Sequence, residues 1–253
     1  MSTTFGVSLK MYLGYDQTLR WCRDVARLCG DHPLLTDKGG KLFVAPSFPA
    51  IPAAREIFRG TSIAVGAQNL AQADTGAHTG EVGGPLLREA GAQYVEVGHA
   101  ERRRMYGEDE GVVAGKTAAA LRNGLVPVLC IGEPEPVDSC AAATECVRQL
   151  FTALQVSDRK ALGGRIVVAY EPIWAIGAAE PAGEEHIRTV CTALREAVAA
   201  RHAHPDSSVI YGGSAGPGLY GLIAGAADGV FLGRFAHDPQ ALKAVLDEGT
   251  AAA

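Results

Sequence analysis

Short apolar, β-branched runs alternate along the chain with longer stretches in which apolar residues recur every three or four positions. The short runs are FGVSLKM (5–11), KLFVAP (41–46), TSIAVGAQ (61–68), AQYVEVG (92–98), LVPVLCIG (125–132), RIVVAY (165–170), SSVIYG (207–212) and DGVFLG (228–233). Each has the length and composition of a buried strand. Helical periodicity fills 16–30, 50–59, 84–90, 109–123, 139–155, 184–202, 216–224 and 239–249. Asp138-Ser139 and Asp238-Pro239 stand where two of these helices should start.

Eight strands alternating with eight helices over 253 residues predict an α/β fold, a closed (β/α)8 barrel forming a single domain over 1–253. The competing architecture is an open doubly wound sheet, but no G-x-G-x-x-G follows the first strand. No linker or low-complexity tract divides the chain, and the Ala-rich end GTAAA is expected to fray.

Charge and cysteine usage narrow the function classes. The net charge of -5 argues against nucleic acid as a partner. No run reaches the length of a membrane span, and MSTTFGVSLKMY carries no secretory pattern, so a cytoplasmic location is expected. The six cysteines form no C-x-x-C pair. Cys22 and Cys29 fall two helical turns apart and suit packing, and Cys130, ending a strand, is also read as structural. His32, His78, His186, His202, His204 and His237 share no metal-ligating spacing; no metal and no cofactor are expected.

A barrel carries its chemistry at the C-terminal ends of its strands. Lys10 falls at the end of the first strand and would hold an anion there, although a lone lysine is more often a solvated one. His99 follows the fourth strand directly after Gly98. Glu171 closes the sixth, where an acid beside apolar groups suits general-base work. The stiff apolar piece Pro172-Ile173-Trp174 comes next, which an exposed loop does not require. YGGSAG (211–216) and FLGRF (231–235) follow strands seven and eight, where backbone N–H groups bind phosphate well. Three arginines, 102 to 104, read as a structural or solvated run.

In chain order, the segments VGAQN, HTGE, VGHAERR, VPVLCIGE, AYEPIWAIG and YGGS resemble those of the triosephosphate isomerase family over nearly the whole chain. The resemblance implies a TIM barrel that interconverts D-glyceraldehyde 3-phosphate and dihydroxyacetone phosphate through an enediolate. It implies that Lys10 stabilises the anion, that neutral His99 shuttles protons between oxygens, that Glu171 moves the proton between carbons and that Glu101 supports the lysine. It implies a closing lid over residues 172–182, including Pro172, Ile173, Trp174, Ala175, Ile176 and Gly177, latched by Tyr211 and Ser214. Gly177, Gly213, Ser214, Gly233 and Arg234 would surround a substrate phosphate, and Ser8 would contact the substrate. A homodimer is implied as well, with Thr79 entering the neighbouring active site and Glu81 pairing with Arg102 across the interface.

The sequence departs from that family where the site should lie. SLKMY stands in place of N-W-K-M-N, so Ser8 replaces an asparagine and frees volume. Ala100 replaces a serine, Ala178-Ala179-Glu180 stand at the distal lid hinge, and Arg234 replaces a glycine. These changes leave open an isomerase of a four-carbon ketose phosphate, an erythrulose phosphate, or a weakly active, phosphate-binding relative. A barrel enzyme of different chemistry is a further class, because fold does not fix function.

Overall fold

The computed structural model describes residues 3–252. Eight strands run parallel and neighbour one another in chain order: β1 (Thr4–Ser8), β2 (Lys41–Ala45), β3 (Ile63–Ala67), β4 (Tyr94–Val97), β5 (Val126–Ile131), β6 (Val167–Tyr170), β7 (Ser208–Tyr211) and β8 (Phe231–Leu232). β1 pairs with both β2 and β8, and a bridge between Tyr211 and Val230 brings the ring to closure. Around it lie α1 (Tyr15–Cys29), α2 (Pro33–Thr36), α3 (Ile51–Ile57), α4 (Gly84–Ala90), α5 (Ala100–Tyr106), α6 (Glu110–Arg122), α7 (Ser139–Arg159), α8 (Glu184–Ala199), α9 (Leu219–Ile223) and α10 (Pro239–Ala252). The (β/α)8 barrel is the fold that the alternation predicts.

The strand alternation separates two cores. On β6, Val168 and Tyr170 face the helices while Val167 and Ala169 face inward. The lower barrel interior is filled by rings: Phe43 stacks on Tyr94 at 4.4 Å between centroids and lies 5.9 Å from Phe231. Gly6 admits those rings, since a Cβ there would stand 2.3 Å from Phe43. The outer core receives helix faces such as Trp21, Cys22, Val25 and Cys29 of α1, so both cysteines pack as expected. Burial pushes their thiols up, to about 12 and about 11 respectively.

Asp138 and Asp238 start helices as anticipated. Asp138 accepts from the backbone N–H groups of Cys140 and Ala141, and Asp238 from that of Gln240. Other boundaries differ. The strands are shorter than the apolar runs, which continue past the strand at one end or both: β1 stops at Ser8, three residues before its run does, and β6 begins only at Val167. Helix α5 is an addition to the predicted elements. None of its residues is buried, so it carries no apolar stripe from which a helix could be read. In the end expected to fray, α10 continues to Ala252, with Gly249 packed against Phe5 and Leu34. Ala253, like Met1 and Ser2, lies outside the described residues.

Candidate active site

Residues at the C-terminal ends of β1, β4, β6, β7 and β8 converge on a cleft of ≈ 760 Å³. Its lining includes Ser8, Lys10, His99, Glu101, Glu171, Ile173, Ile176, Gly177, Ser214, Gly233 and Arg234. Gly213, Tyr211, Pro172, Trp174 and Ala175 support these from behind rather than lining the cleft.

Lys10 sits just beyond β1 with φ +49°, a left-handed backbone that a non-glycine residue adopts at a cost. Its Nζ donates to Glu101 Oε1 at 2.8 Å. Burial works against its charge, but Glu101, with help from Glu171 and Tyr12, more than offsets this and holds the ammonium above its ordinary value. Burial likewise opposes ionisation of Glu101, and Lys10, His99 and Arg104 outweigh it, keeping this carboxyl below the usual range. The pair therefore stays ionised and presents a fixed positive charge to the cleft.

His99 caps the start of α5. Its Nδ1 accepts from the Glu101 backbone N–H at 3.1 Å. That bond leaves Nε2 as the ring's donor in the neutral form, 3.8 Å from Glu171 Oε2. Glu171 extends β6 by donating its N–H to Ile131 O at 2.7 Å. It is buried, and its Oε2 meets no protein donor. Two glycines make room for it: a Cβ on Gly132 would lie 2.0 Å from the Glu171 carbonyl, and one on Gly212 would lie 2.7 Å from its Cγ. A carboxylate, an imidazole N–H and an ammonium thus surround one volume, an arrangement able to remove a proton from carbon while stabilising an adjacent oxyanion.

The segment after Glu171 is fastened at both ends. At its base, Ile173 N–H donates to Glu133 O at 3.0 Å, and Trp174 Nε1 to Glu133 Oε1 at 2.8 Å. Tyr170 donates to the same oxygen at 3.2 Å, and His186 Nε2 lies 3.1 Å from it. Further along, Tyr211 accepts from Ala182 N–H at 3.0 Å, and Ser214 Oγ lies 2.8 Å from Ala175 O and 3.0 Å from Ala178 O. Ser214 itself has φ +54°. Tyr211→Phe removes the acceptor of a buried N–H, which costs about 1–3 kcal/mol. The expected result is a fall in kcat/KM of about tenfold with the fold retained, read by steady-state kinetics and circular dichroism; unchanged kinetics would deny the contact any part in holding the segment.

The Arg234 guanidinium reaches toward that segment, with Nη2 3.7 Å from the position of a Cβ on Gly177. Gly213 is required here, since a Cβ would meet the Tyr211 hydroxyl at 2.4 Å. Thr79 and Glu81 lie away from the cleft on the exposed segment 75–81. Within the chain Arg102 pairs with Glu108, not Glu81, and Glu108 is also held by Lys116 at 2.6 Å. Cys130 is buried; burial pushes its thiol well up and Glu171 and Glu96 add to this, which makes it inert packing.

Three participants were not singled out from the sequence. Glu133 holds the base of the segment from the turn after β5, and its only signal is an acid closing VPVLCIGE. His186, given no role above, is part of that cluster. Glu96 lies inside the barrel at an inward position two residues beyond Tyr94, and an acid within YVEV was a readable sign of it. Among the described residues no group of three or more His, Cys, Asp or Glu could hold a metal ion, and no helix is long and apolar enough to cross a membrane.

The fold and this polar cleft define a barrel enzyme of the acid–base isomerase class. The triosephosphate isomerase family model matches residues 3–248, and the chain belongs to that family. It is 49% identical to L-erythrulose-1-phosphate isomerase of Pectobacterium atrosepticum, over 97% of this chain and 95% of the relative. It is 38% identical to the protein of that name from Mesorhizobium japonicum, covering 98% and 97%. The identity to triosephosphate isomerase of Thermus thermophilus is 35%, covering 82% of each. The crystal structure of triosephosphate isomerase from Bartonella henselae superposes with a TM-score of 0.82, covering 98% of this chain and 99% of that one, at 24% identity, which speaks for the fold. The chain is an intramolecular oxidoreductase of the aldose–ketose isomerase type.

Proposed function

We propose that this enzyme isomerises a four-carbon ketose phosphate, L-erythrulose 1-phosphate, by the enediolate chemistry of its family. The observation that carries the reading is Ser8: it lines the cleft, and its buried hydroxyl completes no hydrogen bond of ordinary geometry with the described residues, where the family pattern has a longer amide. The similarity to relatives named for that substrate supports it. L-Erythrulose 1-phosphate is dihydroxyacetone phosphate with a hydroxymethyl group on the carbon that loses its proton, so it needs more room and one more hydrogen-bonding group near that carbon.

The steps then follow from the side chains present. Glu171 takes the proton from C3, and the electron pair moves onto the C2 carbonyl oxygen. His99, donating from Nε2, protonates that oxygen and takes the proton from the hydroxyl on C3. Lys10, held by Glu101, balances the charge of the enediolate. Glu171 returns its proton to C2, which leaves the carbonyl on C3. Seen from its new carbonyl, the product is an erythrulose 4-phosphate, so the family's aldose–ketose chemistry here runs between two ketoses, because the carbon that loses its proton carries a hydroxymethyl group. Backbone N–H groups at Gly177, Ser214, Gly233 and Arg234 grip the phosphate, and residues 172–182 close over the intermediate and exclude water. No cofactor takes part.

A homodimer fits the same reading. Met11, Tyr15, Met105 and Tyr106 stand exposed on the segments that follow β1 and β4, apolar surface that a second subunit would cover, with Thr79 contributed across the interface and Glu81 reaching Arg102 beside its contact with Glu108. A cytoplasmic enzyme of sugar phosphate metabolism is the setting this implies.

The retained Lys10, His99 and Glu171 favour a second reading, interconversion of dihydroxyacetone phosphate and D-glyceraldehyde 3-phosphate, with glycolysis and gluconeogenesis as its setting. Steady-state kinetics on both substrates decide between them. The tetrulose phosphate is expected to be preferred at least tenfold in kcat/KM; preference for the triose by a large factor ends the first reading. Binding of a phosphate analogue without turnover of either would leave a non-catalytic relative.

A further inference from the structure

The upper barrel interior contains a polar pair that the proposed chemistry does not use. Glu96, on β4, is 3% exposed, and Ser8, on β1, is 2% exposed. The inward faces of their strands bring them together beneath Lys10, Glu101 and Glu171, all close enough to act on the Glu96 carboxyl. Glu96 and Ser8 are near enough to interact, yet neither Glu96 Oε1 nor Ser8 Oγ completes a hydrogen bond of ordinary geometry with the protein. At the opposite end of the barrel, Thr4 Oγ1 and Ser208 Oγ lie 3.0 Å apart, and the Tyr94 hydroxyl accepts from Arg165 at 2.8 Å.

An unpartnered buried polar atom is costly, and each calls for a partner from outside the chain, a water or, beside a cleft, a substrate group. Ser8 lines the cleft and Glu96 does not, so Ser8 stands between Glu96 and any substrate. We propose that Glu96, acting through Ser8, is a positioning residue that sets the substrate class by giving the cleft a polar floor for the hydroxymethyl group of a four-carbon ketose phosphate. This rests on the tetrulose reading above. A hydrogen-bonding carboxylic acid behind Ser8 fixes the direction of its hydroxyl, and a fixed hydroxyl discriminates for a substrate hydroxyl and against a smaller substrate that leaves it unpaired. Burial pushes the Glu96 carboxyl up to about 8, with Ser8 holding it down in part and Glu171 adding to the rise, so Glu96 is mainly neutral at pH 7 and can donate to Ser8. A triose phosphate has no group that requires this floor.

The test is kcat/KM for L-erythrulose 1-phosphate and for dihydroxyacetone phosphate in the wild type and in Glu96→Val, Glu96→Gln and Ser8→Ala, each checked for a folded spectrum. Glu96→Val is expected to lower the tetrulose value by about 10- to 100-fold and the triose value less than threefold. Ser8→Ala should move the ratio in the same direction, and Glu96→Gln, which keeps a donor and an acceptor, should restore most of it. Equal losses on both substrates would make Glu96 a support for the catalytic groups in general and overturn the assignment. An unchanged ratio in Glu96→Val would overturn it while leaving the tetrulose reading intact. A wild type inactive on the tetrulose phosphate would overturn that reading, and this inference with it.

Discussion

Replacement of Glu171 by glutamine is expected to lower kcat by roughly 10³-fold on either ketose phosphate while changing KM by less than about threefold. The exchange removes the carboxylate proposed to take the proton from carbon. It leaves shape nearly untouched: Gly212, which clears the space around this side chain, accommodates an amide of the same size. The backbone bond to Ile131 O is unaffected. Lys10 stays paired with Glu101, and His99 keeps its Nδ1 bond to the Glu101 N–H, so the electrostatics that hold the enediolate survive. A ground-state ligand should therefore still bind. The measurement is kcat and KM by steady-state assay, together with loss of deuterium exchange from the substrate carbon in heavy water. Exchange that persists at a rate within tenfold of wild type would take Glu171 out of the proton transfer.

How much of this was legible in the sequence depends on the kind of signal. The barrel followed from alternation alone, since eight buried strands each announce themselves by a run of Val, Ile, Leu and Ala. Position at a strand end then separated Lys10, His99 and Glu171 from other charged residues, and the cleft gathers all three. Helix α5 could not be read that way, because it buries nothing and is held by its cap on His99. The cluster around Glu133 depends on three dimensions: Tyr170, Trp174 and His186 come from β6, the segment after it and α8. Arg102 is similar in kind: its contact with Glu108, six residues away in the same chain, is one that the sequence pattern did not single out. Glu96 fell between the two cases. Its acid was visible inside a strand, but only the inward direction shared with Ser8 gives it meaning.

That buried acid should also govern how stability changes with pH, and the expected effect is large. Burial pushes the folded-state carboxyl of Glu96 up to about 8, against 4.5 for a free glutamate. Between those values the folded protein holds a proton that the unfolded chain has released. Stability contributed by this group is therefore fully present below about pH 4.5 and declines as pH rises toward 8, by about 1.4 kcal/mol per pH unit and up to about 5 kcal/mol in total. Carboxyls such as Asp74, Glu110, Glu145 and Asp247, held below their usual range chiefly by hydrogen bonds from Arg122, Arg148 and Lys243, act in the opposite sense at lower pH. The contribution of Glu96 is isolated by difference. Urea unfolding of the wild type and Glu96→Gln from pH 5 to 8 should show the wild type losing roughly 4 kcal/mol relative to the variant, which cannot titrate at this position. The loss should level off above pH 8, where both states of the wild type are ionised. Parallel stability curves for the two proteins would mean that Glu96 is ionised throughout this range, and a carboxylate there would accept from Ser8 instead of donating to it, turning the Ser8 hydroxyl away from the substrate.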